Sequence, residues 1–128
     1  MNCLLDSHVF LWALNDSQKL GPNTTALLIA QENQLYISTA SVWELGLKHL
    51  KGKLPYSIDE LLEGIEVLGL ELIAIEKQDI QTFQNIRLIH DDPFDRLLVA
   101  QSQARKMTFV TVDKNILASG YQTLDASK

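Results

Sequence analysis

Short apolar runs alternate with longer amphipathic segments along this chain. A short run of apolar or β-branched residues between turn residues predicts a strand, and apolar residues spaced three and four apart predict a helix. By these criteria, strands are predicted at residues 2–5, 35–38, 70–75, 107–112 and 121–124. Helices are predicted at residues 8–14, 22–33, 41–50, 58–68, 77–88, 93–106 and 115–118.

This alternation of strands and helices indicates an α/β fold. Parallel strands are joined by helical crossovers, which place helices on both faces of the sheet. We therefore expect a three-layer α/β/α sandwich around a central, mainly parallel sheet. With 128 residues, of which 46% are hydrophobic, the chain has the size of one ordinary domain. A single domain over residues 1–128 is expected.

Composition changes this picture mainly through charge. The chain has 16 acidic and 11 basic residues and a net charge of −5, so it has no overall attraction for nucleic acid or an anionic membrane. A polyanionic partner would need a local basic patch, and the densest basic run is Lys48, His49, Lys51 and Lys53. These cations would equally complement the dipole at the end of the predicted helix 41–50.

The N-terminal segment and the single cysteine bear on the compartment. Cys3 lies in an apolar run, which favours a core position and a reducing compartment over a disulfide or a thiolate metal site. Residues 1–14 have no cationic leader and are interrupted by Asp6 and His8, so neither a signal peptide nor a membrane span is expected. We expect a cytoplasmic protein without membrane association.

The stretch HDDPFDRLLVAQ, residues 90–101, places three carboxylates in front of an apolar helix. Asp92 before Pro93 is a strong helix start, because the Asp side chain accepts from the first free N–H groups and Pro has no N–H at the first position. Asp95 then falls in the first turn, where the helix dipole favours negative charge. Capping alone explains Asp92, but Asp95 could also serve chemistry.

Four acids stand where the predicted strands and helices meet. Asp6 and Asp113 each follow a strand directly, and Glu44 and Asp95 are predicted in the first turns of their helices. The carboxyl ends of parallel strands lie at one edge of the sheet, so the four side chains could converge there. Glu44 could instead complete a capping box with Ser41, and Asp113 could be an ordinary turn residue.

Converging carboxylates repel one another at neutral pH unless a cation lies among them. Oxygen ligands without a His or Cys cluster favour Mg²⁺ or Mn²⁺ over zinc. Such ions can activate water and neutralise the attacking and leaving oxygens of a phosphodiester. The sequence therefore supports the hypothesis of a metal-dependent nuclease.

Four segments in order resemble the PIN-domain family, in particular the toxin ribonucleases of the VapC type. They are LLDSHVFLWAL at residues 4–14, STASVWELGLK at 38–48, HDDPFDRLLVAQ at 90–101 and FVTVD at 109–113. The resemblance implies a small α/β/α domain that cleaves RNA with Mg²⁺ or Mn²⁺. It also implies a homodimer that a cognate antitoxin holds inactive.

Carried over by position, the resemblance implies that the catalytic, metal-binding acids are Asp6, Glu44, Asp95 and Asp113. Ser7 stands where many relatives have Thr, and the hydroxyl is retained. Metal-bound water is the expected nucleophile.

Several further residues are weaker candidates for contact with the substrate. Besides Ser7, they are Lys48, Arg96 and Thr111. Arg96 could clamp a phosphate or pair with a neighbouring acid. Thr111 lies two residues before Asp113, on the same face of the strand, and could orient a carboxylate or a water.

The histidines and aromatic residues near these motifs are expected to have other roles. His8 and His90 have no second His at ligand spacing and are not predicted as general bases. The helical spacing of Phe10, Trp12 and Trp43 favours core or dimer-interface positions over base stacking.

Two other classes of function are possible for a small α/β fold. A non-catalytic Mg²⁺-binding receiver-like signalling module would have an acidic pair after its first strand, whereas here Asp6 is followed by Ser7. A pure interaction module would have lost its acids, and all four are present.

Overall fold

The computed structural model describes residues 1–88 and 90–128. The strands in this part of the chain are β1 (Asn2–Leu5), β2 (Gln34–Ser38), β3 (Glu71–Ile73), β4 (Thr108–Thr111) and β5 (Thr123–Asp125). The α-helices are α1 (Ser7–Asn15), α2 (Pro22–Ile29), α3 (Thr39–Leu50), α4 (Ile58–Val67), α5 (Lys77–Phe83), α6 (Pro93–Ala104) and α7 (Lys114–Leu117).

The strands form one sheet in the order β3-β2-β1-β4-β5, and every adjacent pair is parallel. The chain moves from β1 to β2 on one side and later returns to β4 on the other. The sheet therefore changes direction of winding between β1 and β4, which is where open parallel sheets bind ligands beyond the ends of their strands. The predicted parallel sheet is confirmed.

Helices cover both faces of this sheet. Cys3 and Leu5 of β1 pack with Phe10 of α1 in one buried cluster. The intervening Leu4 points to the other face and packs with Leu98 of α6 in a second cluster. Successive residues of β1 thus pack into clusters on opposite faces of the sheet. The predicted three-layer α/β/α sandwich is confirmed, and Cys3 has the predicted core position.

Several helix boundaries differ from the prediction, and those of α2, α3 and α5 are the most informative. Helix α3 begins at Thr39 rather than residue 41, because the Ser38 side chain accepts a hydrogen bond from the N–H of Ala40. Helix α2 ends at Ile29 rather than residue 33, and the Asn33 side-chain amide donates to the carbonyl of Leu27 near its end. Helix α5 shows the largest difference, because it ends at Phe83 instead of residue 88.

Strand β1 has the predicted bounds and β2 begins one residue earlier than predicted, whereas the other three strands are shortened or shifted. The predicted strands 70–75 and 107–112 are reduced to Glu71–Ile73 and Thr108–Thr111, and the last strand is shifted to Thr123–Asp125. The end of α3 was predicted correctly, since Gly52 adopts a positive φ of 74° just beyond the helix. Among the helices described, none combines the length and apolar character that a membrane crossing requires.

Candidate metal centre

The four predicted acids line one cavity at the carboxyl ends of β1 and β4. Its volume is about 410 Å³. Its remaining lining residues are His8, Trp12, Lys48, His90, Asp92 and Val112. The helices α1, α6 and α7 all begin at this cavity, so their N-terminal N–H groups favour negative charge within it.

Asp6 lies deepest among these acids, with 5% of its surface exposed. It is the N-cap of α1, and its Oδ1 accepts from the N–H of Ser7 at 2.7 Å. Its Oδ2 accepts from the Thr111 hydroxyl at 2.6 Å. Burial raises the pKa of Asp6 although these hydrogen bonds oppose the shift. Hydrogen bonds thus orient both carboxylate oxygens of Asp6. Burial of the charged form without a cation would cost free energy at this position.

Glu44 is held to Asp6 through a shared neighbour. The Ser7 hydroxyl donates to Glu44 Oε1 at 2.8 Å, across the contact between α1 and α3. Burial raises the pKa of Glu44, and the Ser7 hydrogen bond acts against this shift. The serine hydroxyl therefore fixes the orientation of this second acid.

The predicted first-turn position of Glu44 and its alternative as a capping-box residue are both wrong. Because α3 begins at Thr39, Glu44 lies in the second turn and Ser38 is the cap. Ser41 is inside the helix, and its buried hydroxyl has no hydrogen-bond partner among the described residues. Glu44 lines the acidic cavity from this second turn.

Asp113 combines a turn position with a place in the cavity. It follows β4 with Val112 between, so it is not directly after the strand as predicted. Its Oδ1 accepts from the N–H groups of Asn115 and Ile116 as the N-cap of α7. Its own N–H donates to the Thr111 hydroxyl at 3.1 Å, so Thr111 contacts both the Asp6 carboxylate and the Asp113 backbone.

The HDDPFD stretch divides capping and cavity roles between two acids. Asp92 caps α6 as predicted, since its Oδ1 accepts from the N–H groups of Phe94 and Asp95. Asp95 lies in the first turn as predicted. Burial, together with negative charge around it, raises the pKa of Asp95 to about 7. The charges come from the neighbouring Asp6, Asp92, Glu44 and Asp113.

His90 lies between two of these acids. Its Nε2 is 3.0 Å from Asp95 Oδ2 and 3.3 Å from Asp113 Oδ2. Burial lowers the pKa of His90, but the charges of Asp113 and Asp95 outweigh it and the net shift is upward. Sequence reasoning missed this position because it sought a second His. The available signal was the place of His90 in the same motif, five residues before Asp95.

The family model described as the PIN domain matches residues 3–119. The chain belongs to the PIN domain family. The resemblance seen in the sequence motifs is thereby confirmed. No curated protein matches the sequence of this PIN domain.

Solved structures share its fold at low sequence identity. A chain of the DNA-bound VapBC from Salmonella typhimurium superposes with a TM-score of 0.73 at 17% identity, with 98% of each chain covered. A chain of VapBC2 from Rickettsia felis, bound to a promoter DNA fragment, gives 0.71 at 20% identity and the same coverage. A chain of a toxin-antitoxin complex from Klebsiella pneumoniae gives 0.65 at 14% identity, with 97% of each chain covered.

The acids of this PIN domain fit a divalent metal ion. Several carboxylates share one cavity, and burial together with these negative neighbours raises the pKa of Asp95 to about 7. Hard oxygen donors of this kind suit Mg²⁺ or Mn²⁺. A cation among them would remove the repulsion that raises this pKa.

The weaker candidates divide into two groups. Ser7 and Thr111 contact the acids, and Lys48 lines the cavity beside Glu44. Arg96 is outside the cavity: its Nη2 lies 3.7 Å from Asp91 Oδ1, and its guanidinium lies over the Phe83 ring. The structure therefore favours the structural pairing of Arg96 over phosphate contact.

The three aromatic residues have different environments. Phe10 is fully buried in the core, as predicted. Trp12 is partly buried and lines the acidic cavity. Trp43 is 60% exposed, so the prediction of a core position is wrong for this residue. Its ring makes a T-shaped contact with the Phe94 ring, with the centroids 5.2 Å apart.

Proposed function

We propose that this PIN domain is a metal-dependent endoribonuclease and the toxin of a VapC-type toxin–antitoxin pair. The observation that carries the proposal is the convergence of Asp6, Glu44, Asp95 and Asp113 on one cavity. Membership of the PIN family and the fold shared with chains of VapBC complexes support it. The receiver-like alternative has neither of these supports.

The four acids would hold Mg²⁺ or Mn²⁺. When bound, such an ion supplies an activated water and neutralises charge on the phosphate oxygens. Hydrogen bonds within the protein orient two of the carboxylates that would bind the ion. The hydroxyls of Ser7 and Thr111 orient Glu44 and Asp6 before any ion enters, which lowers the cost of assembling the site.

A basic groove beside the cavity supports a nucleic acid substrate. The groove has a volume of about 250 Å³ and is lined by Glu44, Leu47, Lys48, Lys51, Lys53 and Phe94. It shares Glu44 and Lys48 with the acidic cavity. Among the described residues, none of its three lysines forms a salt bridge. An acidic nuclease needs such a local patch to hold a phosphate backbone.

The protein partners follow from the same proposal. A cognate antitoxin would inhibit by filling the acidic cavity with a cationic side chain, which the charge of the site favours. We also propose a homodimer. The exposed apolar surface formed by Trp43, Ile80, Phe83, Pro93, Phe94 and Leu97 offers an area for protein contact.

Induced expression without an antitoxin tests this function. Wild type should arrest growth and produce new RNA 5′ ends at defined positions, whereas Asp6→Asn should do neither at equal protein level. Equal growth of the two strains, with the same set of 5′ ends, would contradict the ribonuclease-toxin proposal.

A further inference from the structure

An imidazole nitrogen stands among the oxygen donors of the cavity. The ligand atoms of His90, Asp95 and Asp113 all lie within 4.8 Å of one another. Each of the two Asp residues presents its Oδ2 to the ring nitrogen, at 3.0 and 3.3 Å. Nε2 of His90 therefore lies within contact distance of both carboxylates.

We propose that His90 Nε2 is a ligand of the ion held by Asp95 and Asp113, and that it makes the site selective for Mn²⁺ over Mg²⁺. The inference rests on the metal centre of the proposed function and adds a residue to it. Imidazole nitrogen is a good ligand for transition metals, whereas Mg²⁺ strongly prefers oxygen and retains its waters. One nitrogen in an oxygen site therefore favours Mn²⁺.

The surroundings of the ring allow Nε2 to become a ligand. Among the described residues, no group donates a hydrogen bond to Nδ1, so no contact there forces the ring proton onto Nε2. Among the described residues, Nε2 forms polar contacts only with the Asp95 and Asp113 carboxylates. In the neutral tautomer that carries its proton on Nδ1, the Nε2 lone pair is directed toward Asp95 and Asp113.

The chain provides a matched control for this role. His8 lines the same cavity, but it is absent from the group of ligand atoms formed by His90, Asp95 and Asp113. Replacing either histidine with Gln removes one imidazole from the cavity wall. The two variants therefore separate ligation by His90 from the general loss of a histidine near the acids.

Electron spin echo envelope modulation of bound Mn²⁺ tests the proposal without a nuclease assay. With any affinity tag removed, the wild type should show ¹⁴N modulation from a directly bound imidazole. His90→Gln should lose it, and His8→Gln should keep it. Bound Mn²⁺ without ¹⁴N modulation in the wild type would overturn this inference while leaving an oxygen-only nuclease centre. Failure of the wild type to bind Mn²⁺ at all would overturn the proposed function as well.

Calorimetric titration with each metal gives the second readout. His90→Gln should weaken Mn²⁺ binding by about tenfold and Mg²⁺ binding by less than about threefold, because the lost ligand is a nitrogen. His8→Gln should change neither affinity. Equal loss of both metals in His90→Gln, or no loss of either, would overturn the assignment of His90 as the selective ligand.

Discussion

The Thr111 hydroxyl donates a 2.6 Å hydrogen bond to Asp6 Oδ2 and joins the end of β4 to the end of β1. The Thr111 hydroxyl oxygen in turn accepts a hydrogen bond from the N–H of Asp113. One buried hydroxyl thus contacts the Asp6 carboxylate and the Asp113 backbone, on the two strand ends between which the sheet changes direction. This relationship helps to position the acids of the proposed metal centre.

Thr111→Val should raise the pKa of Asp6 further, because it removes a donor that opposes the effect of burial. Metal binding requires the carboxylate, so the acid limb of the pH profile for Mn²⁺ affinity should move to higher pH. The variant should also lose about 1 to 3 kcal/mol of stability, since Asp6 Oδ2 stays buried without its partner. Isothermal titration at several pH values measures the shift.

Thr108→Val is the control for this variant. Thr108 lies on the same strand, but its hydroxyl accepts from the Gln122 amide and does not contact the acids. It should leave the pH profile unchanged. An identical profile for wild type and Thr111→Val would remove Thr111 from the positioning of Asp6.

Asp95→Asn should stabilise the metal-free protein. The folded-state pKa of Asp95 is about 7, above the ordinary value of 3.8. The folded state therefore holds a proton that the unfolded state releases, and stability falls as pH rises from about 4 to about 7. After allowance for solvent screening, the variant should gain about 1 to 2 kcal/mol at pH 8 and lose this gain near pH 4.

Chemical denaturation with chelator at both pH values measures this effect. Asp91→Asn is the control, because the Asp91 side chain is 98% exposed in the same stretch and should change little. If Asp95 serves only the helix dipole, Asp95→Asn should instead lose about 0.3 to 1 kcal/mol. The two interpretations differ in sign.

Saturating Mn²⁺ should reverse the order of the two proteins. At a free concentration one hundred times Kd, the ion should stabilise the wild type by about 2.7 kcal/mol and Asp95→Asn by much less. Melting temperatures with and without metal measure the difference. Equal gains for both proteins would show that Asp95 takes no part in metal binding.

The roles of the acids were only partly predictable, because one carboxylate can do two things. Asp92 was expected as a helix cap and Asp113 as a metal ligand or, alternatively, a turn residue, and both accept helix N–H groups. Asp113 does this with Oδ1 while Oδ2 faces His90. A local pattern reports the bond to the helix, but the second oxygen depends on tertiary packing.

The sheet and its layers were predictable because period and turn residues specify them directly. Helix starts were less so: both Ser38 and Ser41 can cap, and the choice of Ser38 leaves Glu44 in the second turn. His90 was missed for a similar reason. Its contacts come from Asp95 nearby and from Asp113 beyond β4, and only the folded chain brings these together.

The basic groove should control RNA affinity through charge. Replacing Lys48, Lys51 and Lys53 with Gln should weaken binding of single-stranded RNA. The negative slope of log affinity against log salt concentration should become less steep, by up to about 2. Fluorescence anisotropy with a catalytically inactive background measures it.

A variant with the same net charge is available as a control. Gln at Lys77, Lys106 and Lys128, three exposed lysines outside the groove, removes an equal charge and should leave the slope nearly unchanged. Similar losses for the two triple variants would indicate a response to net charge and argue against a local RNA site.

Cleavage of RNA by the purified protein tests the metal-centre account most directly. Wild type with Mn²⁺ should shorten a single-stranded RNA, and chelator should stop the reaction. Asp6→Asn should slow cleavage by about a hundredfold or more, because it removes the most deeply buried acid of the cavity. Asp91→Asn should cut as fast as wild type. Cleavage that persists in chelator, or that is equally fast in Asp6→Asn, would contradict the account.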